Sequence, residues 1–351
     1  MNSPLREALS TLARTTAAAA QNPGARDPVA KYPGARDARP KGGIPDRPAA
    51  RPPEPRLLAD RPDGTVVRVG GLVAKAHAPD ADPAELATRV ALAAHPAYTG
   101  ILLPPATPPT PLRGDGRLAS VWPYGAPVDP ARPEAAPWEA AGALLARLHT
   151  APCPQLTAPL PPMRGPAKAA GALARMRAAA GAPAWHAPAA AAVERAWAVL
   201  PPWCREECPP PRAPALCHGD FHLGQLVRHP APDGPWHLID VDDLGAGDPA
   251  WDLARPASWF ATGLLAPPEW ERFLGAYART WEGAVGAEFG DPWPDLDAPA
   301  RALTVQAAAL AVARAGLAGR ALDEAEEACV DACARIAGLP AGAELPAPQE
   351  S

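Results

Sequence analysis

Two periodicities divide this chain, and the division limits what it can fold into. Runs with strand character crowd into residues 56–125: "RLLAD", "TVVRVG", "LVAKAHA", "ILLPP" and "RLASVWPYG". Val66, Val67 and Val69 supply β-branched side chains of the kind a pleated surface favours. Pro62-Asp63-Gly64, Gly70-Gly71 and residues 113–116 carry turn chemistry between the runs. One helix interrupts them, "DADPAELATRVALAAHP", with Asp82 as N-cap, Pro83 at the first helical position and Glu85 at the third. From "APWEAAGALLARLHTAP" onward the apolar residues recur at helical spacing. That spacing predicts further helices over 163–180, 188–199, 249–262, 267–284, 298–317 and 323–337. A single polar hairpin, 217–243, breaks the second region. The pattern predicts an α+β protein, with a small antiparallel β-sheet lobe over 56–124 and a larger, mainly helical lobe over 125–351.

The first 55 residues read as a Pro/Arg/Ala-rich tail. A short helix fits 4–21, but the stretch that follows repeats "PGARD" and offers too little apolar surface to offset the entropy of ordering it. The net charge of −5 argues against a nucleic-acid partner, because phosphate binding wants a basic surface. No apolar run reaches the length of a membrane span, and the N-terminus lacks a secretory pattern, so a cytoplasmic location is expected. The six cysteines are then expected to be reduced thiols. Cys204/Cys208 and Cys329/Cys333 each stand four apart, wider than the usual zinc knuckle, which favours small buried side chains over a metal site.

Titratable chemistry concentrates in "CHGDFHLGQLVRHPAPDGPWHLIDVDD", Cys217 to Asp243, with four histidines and five aspartates. If "LVR" and "WHLID" pair across "APDG", Gln225 and Asp240 meet at one end of the hairpin, and Asp220 sits on the loop before it. Two carboxylates and an amide oxygen are hard donors, suited to Mg²⁺ shared with phosphate oxygens. With Gln225 and Asp240 on the metal, Asp220 is free to orient a hydroxyl and accept its proton.

"HGDFHLGQ", followed by "LIDVDDLGAGDPAWDLA", is similar to the aminoglycoside phosphotransferase/choline kinase family, whose pattern is H-G-D-x-x-x-x-N, then I-D, then G-D-P-x-x-D-L-A. The resemblance implies a bilobal protein-kinase-like fold and transfer of the γ-phosphoryl group of ATP or GTP to a hydroxyl of an aminoglycoside, sugar or similar metabolite. It implies Asp220 as catalytic base, Asp240 as principal Mg²⁺ ligand, and Asp242 and Asp243 as further metal or outer-sphere contacts. Gln225 stands where the family has Asn, one methylene shorter. Asp252 becomes the acid that props the catalytic loop. In the small lobe, Lys75 is similar to the strand lysine that pairs nucleotide phosphates, and Trp122 and Tyr124 fall at the hinge that meets the base. Glu85 fits two roles, as partner of Lys75 or as a helix-start residue paired with Arg89. Seven residues between Asp240 and Asp248 leave no platform for a polypeptide substrate.

Two other readings stay open at the level of sequence. A catalytically weak nucleotide-binding regulatory module would explain Gln225 and the lack of a Gly-rich phosphate loop. A metal-dependent hydrolase would use His218, Asp220, His222 and Asp240 as ligands. Nucleotide consumption that needs an acceptor separates the kinase from both.

Overall fold

A computed structural model describes residues 3–21, 53–61, 63–155, 158–212 and 214–339. The low-complexity stretch 22–52, read above as a tail, lies outside the described residues. The chain divides into two units: the first runs up to Pro83 and adds Pro104–Tyr124, and the second is Ala84–Leu103 with everything from Gly125 on.

In the first unit the β-branched runs form β1 (Arg56–Arg61), β2 (Gly64–Val69), β3 (Leu72–Ala76), β4 (Thr107–Pro111) and β5 (Leu118–Pro123). They make one antiparallel sheet in the order β1-β2-β3-β5-β4. Strand alternation puts Val67, Ala74, Ala76, Ala119 and Val121 on one face, all buried. Helix α1 (Ser3–Gln21) covers that face with Leu5, Leu9 and Ala13. Leu5, Leu9 and Leu12 recur every three to four residues and give α1 its apolar stripe, and Pro4 suits its first turn. Arg6 ties the helix to the start of the sheet by donating to the Pro55 carbonyl at 3.1 Å.

The fourth strand is not "ILLPP". β4 begins at Thr107 and carries Pro108, Pro109 and Pro111, which an edge strand tolerates because its outer N–H groups bond nothing in the sheet. Ile101, Leu102 and Leu103 are all buried and belong to the second unit, where the Leu103 amide donates to the Leu238 carbonyl at 2.9 Å. A short, wholly apolar run has no period of its own, and here tertiary packing took it elsewhere.

The second unit is mainly helical. Its helices are α2 (Pro83–Ala93), α3 (Trp138–Thr150), α4 (Gly165–Ala178), α5 (Ala187–Val199), α6 (Ala250–Ala261), α7 (Pro267–Val285), α8 (Trp293–Ala318) and α9 (Glu324–Ala337). Helices α3 and α7 approach closely at Gly142, where a Cβ would lie 2.1 Å from the Phe273 carbonyl oxygen. Helix α8 starts five residues before its expected position and runs through Pro299. Proline has no N–H for the Asp295 carbonyl four residues back, and an Arg212 N–H donates to that oxygen instead at 3.1 Å.

The polar hairpin forms as β8 (Leu226–Arg228) against β9 (Trp236–Leu238), with Leu226 opposite Leu238. Three strands were too short to show a pattern in the sequence. Strand β6 (Ala126–Pro127) extends the hairpin, and β7 (Ala215–Cys217) pairs with β10 (Gly245–Gly247). Together they bracket the loops that carry the chemistry.

Candidate active site

Residues 218–222 leave β7 as a loop that one carboxylate holds in shape. Asp252, near the start of α6 and fully buried, accepts from the His218 amide at 2.5 Å and the Gly219 amide at 2.8 Å. His149 Nε2 bonds the same carboxylate at 2.9 Å, and its Nδ1 bonds the Tyr277 hydroxyl at 2.8 Å. Burial works against the charge on Asp252, yet the His149 hydrogen bond, nearby histidines and backbone donors outweigh it and hold the carboxyl below its ordinary range. The prop expected at Asp252 is therefore built as hydrogen bonds to the loop backbone. Gly219 is needed where it stands: its φ is +83°, and a Cβ would meet the Asp243 carbonyl oxygen at 2.2 Å. His218 turns inward and its Nε2 bonds the Ile239 carbonyl at 2.8 Å, linking the loop to the residue before Asp240.

Asp220 follows at once and is paired on both oxygens. Lys168 Nζ of α4 donates to Oδ2 at 2.6 Å, and Arg255 of α6 donates to Oδ1 at 2.8 Å. Arg255 also holds the loop through the Phe221 carbonyl at 3.2 Å. Burial pushes the Asp220 carboxyl up, but the Lys168 and Arg255 charges more than offset it, so Asp220 lies below its usual range. Lys168 also donates to Asp243 Oδ2 at 2.8 Å. Asp243 is raised nevertheless, chiefly by burial, with Asp220 and Asp240 adding like charge. His222 is pushed down to about 4, burial being the main cause, so its ring is neutral at pH 7. Its Nδ1 accepts from the Gly224 amide at 3.0 Å and caps the single turn Leu223–Gln225.

The hairpin brings the expected metal donors together. Gln225 Nε2 lies 3.4 Å from Asp240 Oδ2, and the Ile239 amide donates to the Gln225 carbonyl at 2.9 Å. Asp240 has φ 64° and ψ 69°, a left-handed conformation that non-glycine residues adopt at a cost. This outlier turns the chain from β9 into the single turn Val241–Asp243 and sets the Asp240 carboxylate beside Gln225. A half-turn of the Gln225 amide would present oxygen in place of nitrogen, so carboxylate and amide form a hard-donor pair that fits Mg²⁺. Asp242 stands on the following turn, half-buried.

The hydrolase ligand set does not converge. His218 Nε2 is committed to Ile239, His222 Nδ1 to Gly224, and both Asp220 oxygens to cations. Among the described residues, the group with metal-ligand spacing is His149, Cys217 and Asp252, all buried. His149 and Asp252 already serve the loop prop, and the Cys217 thiol is raised, first by burial and then by Asp252 and Asp248. Among the cysteines, Cys204, Cys217 and Cys333 are buried thiols, while Cys208 is exposed and Cys329 half-buried.

The expected nucleotide residues divide between the units. In the first, register pairs Val66 with Lys75 and Lys75 with Ser120, on the sheet face opposite α1. Trp122 shares that face, is buried, and donates from Nε1 to Ser120 Oγ at 2.8 Å; His77 Nε2 bonds the same oxygen at 2.7 Å. The Tyr124 ring carries the Arg68 guanidinium 3.4 Å above its centre. In the second unit Glu85 accepts from Arg89 at 2.8 Å, and Arg89 in turn donates to the carbonyls of Leu244 at 2.9 Å and Pro162 at 3.2 Å.

Lys168 and Arg255 were not found from the sequence. Arg255 was within reach, since it lies three residues after Asp252 and so shares a face of α6 with it. Lys168 lies in the Ala-rich run "GPAKAAGALARMRA", where nothing marks it.

This assembly agrees with what comparison finds. Residues 56–298 match the phosphotransferase enzyme family. The chain belongs to that family: it is a phosphotransferase, of the class whose acceptor group is a hydroxyl. None of the curated proteins matches it. Among solved structures it is similar to spectinomycin phosphotransferase APH(9)-Ia in complex with ADP and spectinomycin, at 14% identity and TM-score 0.54, covering 81% of this chain and 92% of that one. A thermostable mutant of aminoglycoside phosphotransferase APH(4)-Ia is similar at 16% identity and TM-score 0.52, over 80% and 94% of the two chains. Another such mutant, in ternary complex with AMP-PNP and hygromycin B, gives 16% identity and TM-score 0.51, over 82% and 95%. The shared fold is the one expected, a five-stranded antiparallel sheet with a larger helical part. Among the described residues no helix is long and apolar enough to cross a membrane.

Proposed function

We propose that the protein transfers the γ-phosphoryl group of ATP or GTP to a hydroxyl of a small molecule, an aminoglycoside, sugar or similar metabolite, with Asp220 as base. The observation that carries this reading is the loop geometry: Asp252 fixes the His218 and Gly219 amides, and Asp220 follows immediately on the loop that leads into the hairpin carrying Gln225 and Asp240. Such a loop holds a carboxylate in one place beside hard oxygen donors, which is what in-line transfer between two bound substrates needs.

In this reading the acceptor hydroxyl bonds Asp220, which orients it and takes its proton as the new O–P bond forms. A low carboxylate pKa suits a loose transition state, in which the proton leaves late and a strong base is not needed. Asp240, Gln225 and Asp242 would hold Mg²⁺, which when bound neutralises charge on the nucleotide phosphates. Lys75 would meet the phosphates, with Trp122 and Tyr124 beside the base. Glu85 serves as the partner of Arg89, which its 2.8 Å ion pair supports. The test is a screen of ATP and GTP consumption over a panel of hydroxylated metabolites and antibiotics. Acceptor-dependent release of nucleoside diphosphate, with phosphate recovered on the acceptor, is expected. Nucleotide hydrolysis indifferent to every acceptor would count against it.

A further inference from the structure

We propose that Lys168 is a catalytic cation of this reaction, donating to the transferring phosphoryl group while it bonds the base. The inference rests on the phosphotransferase reading above and adds a residue that no motif marks.

An ammonium has three N–H donors. Two are spent, on Asp220 Oδ2 at 2.6 Å and Asp243 Oδ2 at 2.8 Å. The side chain keeps 29% exposure, and one donor is left for a bound phosphoryl oxygen. The ammonium therefore touches the very carboxylate assigned to the acceptor proton. A carboxylate oxygen accepts two hydrogen bonds, so an acceptor hydroxyl can share Oδ2 without displacing Lys168. Its oxygen then lies next to the ammonium, and so does the phosphorus it attacks. Neutralising Asp220 does not by itself call for Lys168, because Arg255 already pairs Oδ1 at 2.8 Å. A lysine brings a compact point charge on a flexible stem, suited to following a phosphoryl group as it moves.

The step balances. The acceptor O–H bond breaks and its proton goes to Asp220 Oδ2. The acceptor oxygen forms the new O–P bond. The bond from phosphorus to the nucleoside diphosphate oxygen breaks, and the leaving group keeps the electron pair. As Asp220 becomes neutral it releases its hold on the ammonium, whose charge is then available to the phosphoryl oxygens, while Asp243 keeps it in place.

The test uses the full chain with Mg-nucleotide and an acceptor found in the screen, reading kcat, KM for both substrates and thermal unfolding. Lys168→Met is expected to lower kcat about 10²–10³-fold, the range seen when one donor to developing charge is removed, with little change in either KM. Lys168→Arg is expected to recover part of that loss. Because Lys168→Met leaves Asp243 with only the Arg164 guanidinium, 3.7 Å away, Lys168→Met/Asp243→Asn provides a variant with the local charge balanced. It is expected to regain thermal stability but not kcat. Wild-type kcat in the double variant would show that Lys168 only offsets Asp243, and would overturn the assignment. Wild-type protein that binds Mg-nucleotide yet transfers phosphate to nothing would overturn the phosphotransferase reading, and this assignment with it.

Discussion

Replacing Asp252 by Asn changes almost no volume and tests whether one carboxylate holds the catalytic loop. The carboxylate accepts three hydrogen bonds, from His218 N, Gly219 N and His149 Nε2. With its amide oxygen at the Oδ2 position, Asn keeps the His218 and His149 bonds and turns its NH₂ group toward the Gly219 amide. One buried donor is left without an acceptor, so a loss of about 1–3 kcal/mol is expected. At about 2–4 °C per kcal/mol for a chain segment of 150–250 residues, Tm should fall by roughly 2–12 °C. The assay is thermal unfolding by circular dichroism at pH 7, repeated at lower pH. Because the folded-state carboxyl lies below its unfolded value, its stabilisation is complete above that value and is lost as pH falls through the folded one. Wild type should therefore lose stability below about pH 4, the ordinary carboxylate range, and Asp252→Asn should lose less there. A variant within a degree of wild type at pH 7 would refute the reasoning, since the bond to the Gly219 amide would then contribute nothing.

His222 gives a second pH dependence, at higher pH. Its folded pKa of about 4 lies below the free value of 6.5, so the unfolded state takes up the proton first and stability falls as pH drops from 6.5 to 4. Urea unfolding should show about 2 kcal/mol less stability at pH 5 than at pH 7 from this group, and His222→Gln should remove that part of the slope; an unchanged slope would count against it. For the metal pair, Asp240→Ala should abolish Mg²⁺-dependent nucleotide binding in titration, and Gln225→Ala should raise the Mg²⁺ requirement of turnover. Gln225→Asn should retain activity, because it offers the same oxygen on a shorter stem. Unaltered Mg²⁺ dependence in Gln225→Ala would remove Gln225 from the site.

The parts of this protein that were legible share one property: their signal is local. Turn residues and β-branched runs announced β1, β2, β3 and β5, and the pairing of β8 with β9 followed from two short runs and a turn. Gln225 and Asp240 were found because fifteen residues of hairpin bring them together. What escaped depends on packing between distant segments. "ILLPP" looks like a strand, but it is drawn to Leu238, more than 130 residues away. α8 begins early because Arg212 supplies the donor that Pro299 lacks. Lys168 reaches Asp220 across 52 residues from a helix whose alanines carry no pattern.

The central claim is that Asp220 takes the acceptor's proton, and it is tested by single-turnover phosphoryl transfer in Asp220→Asn. The substitution keeps the side chain's shape and removes its basicity. Transfer from bound Mg-nucleotide to a saturating acceptor should slow by about 10²–10⁴-fold while the Mg-nucleotide dissociation constant stays near that of wild type. Transfer at the wild-type rate would contradict the assignment of Asp220 as base.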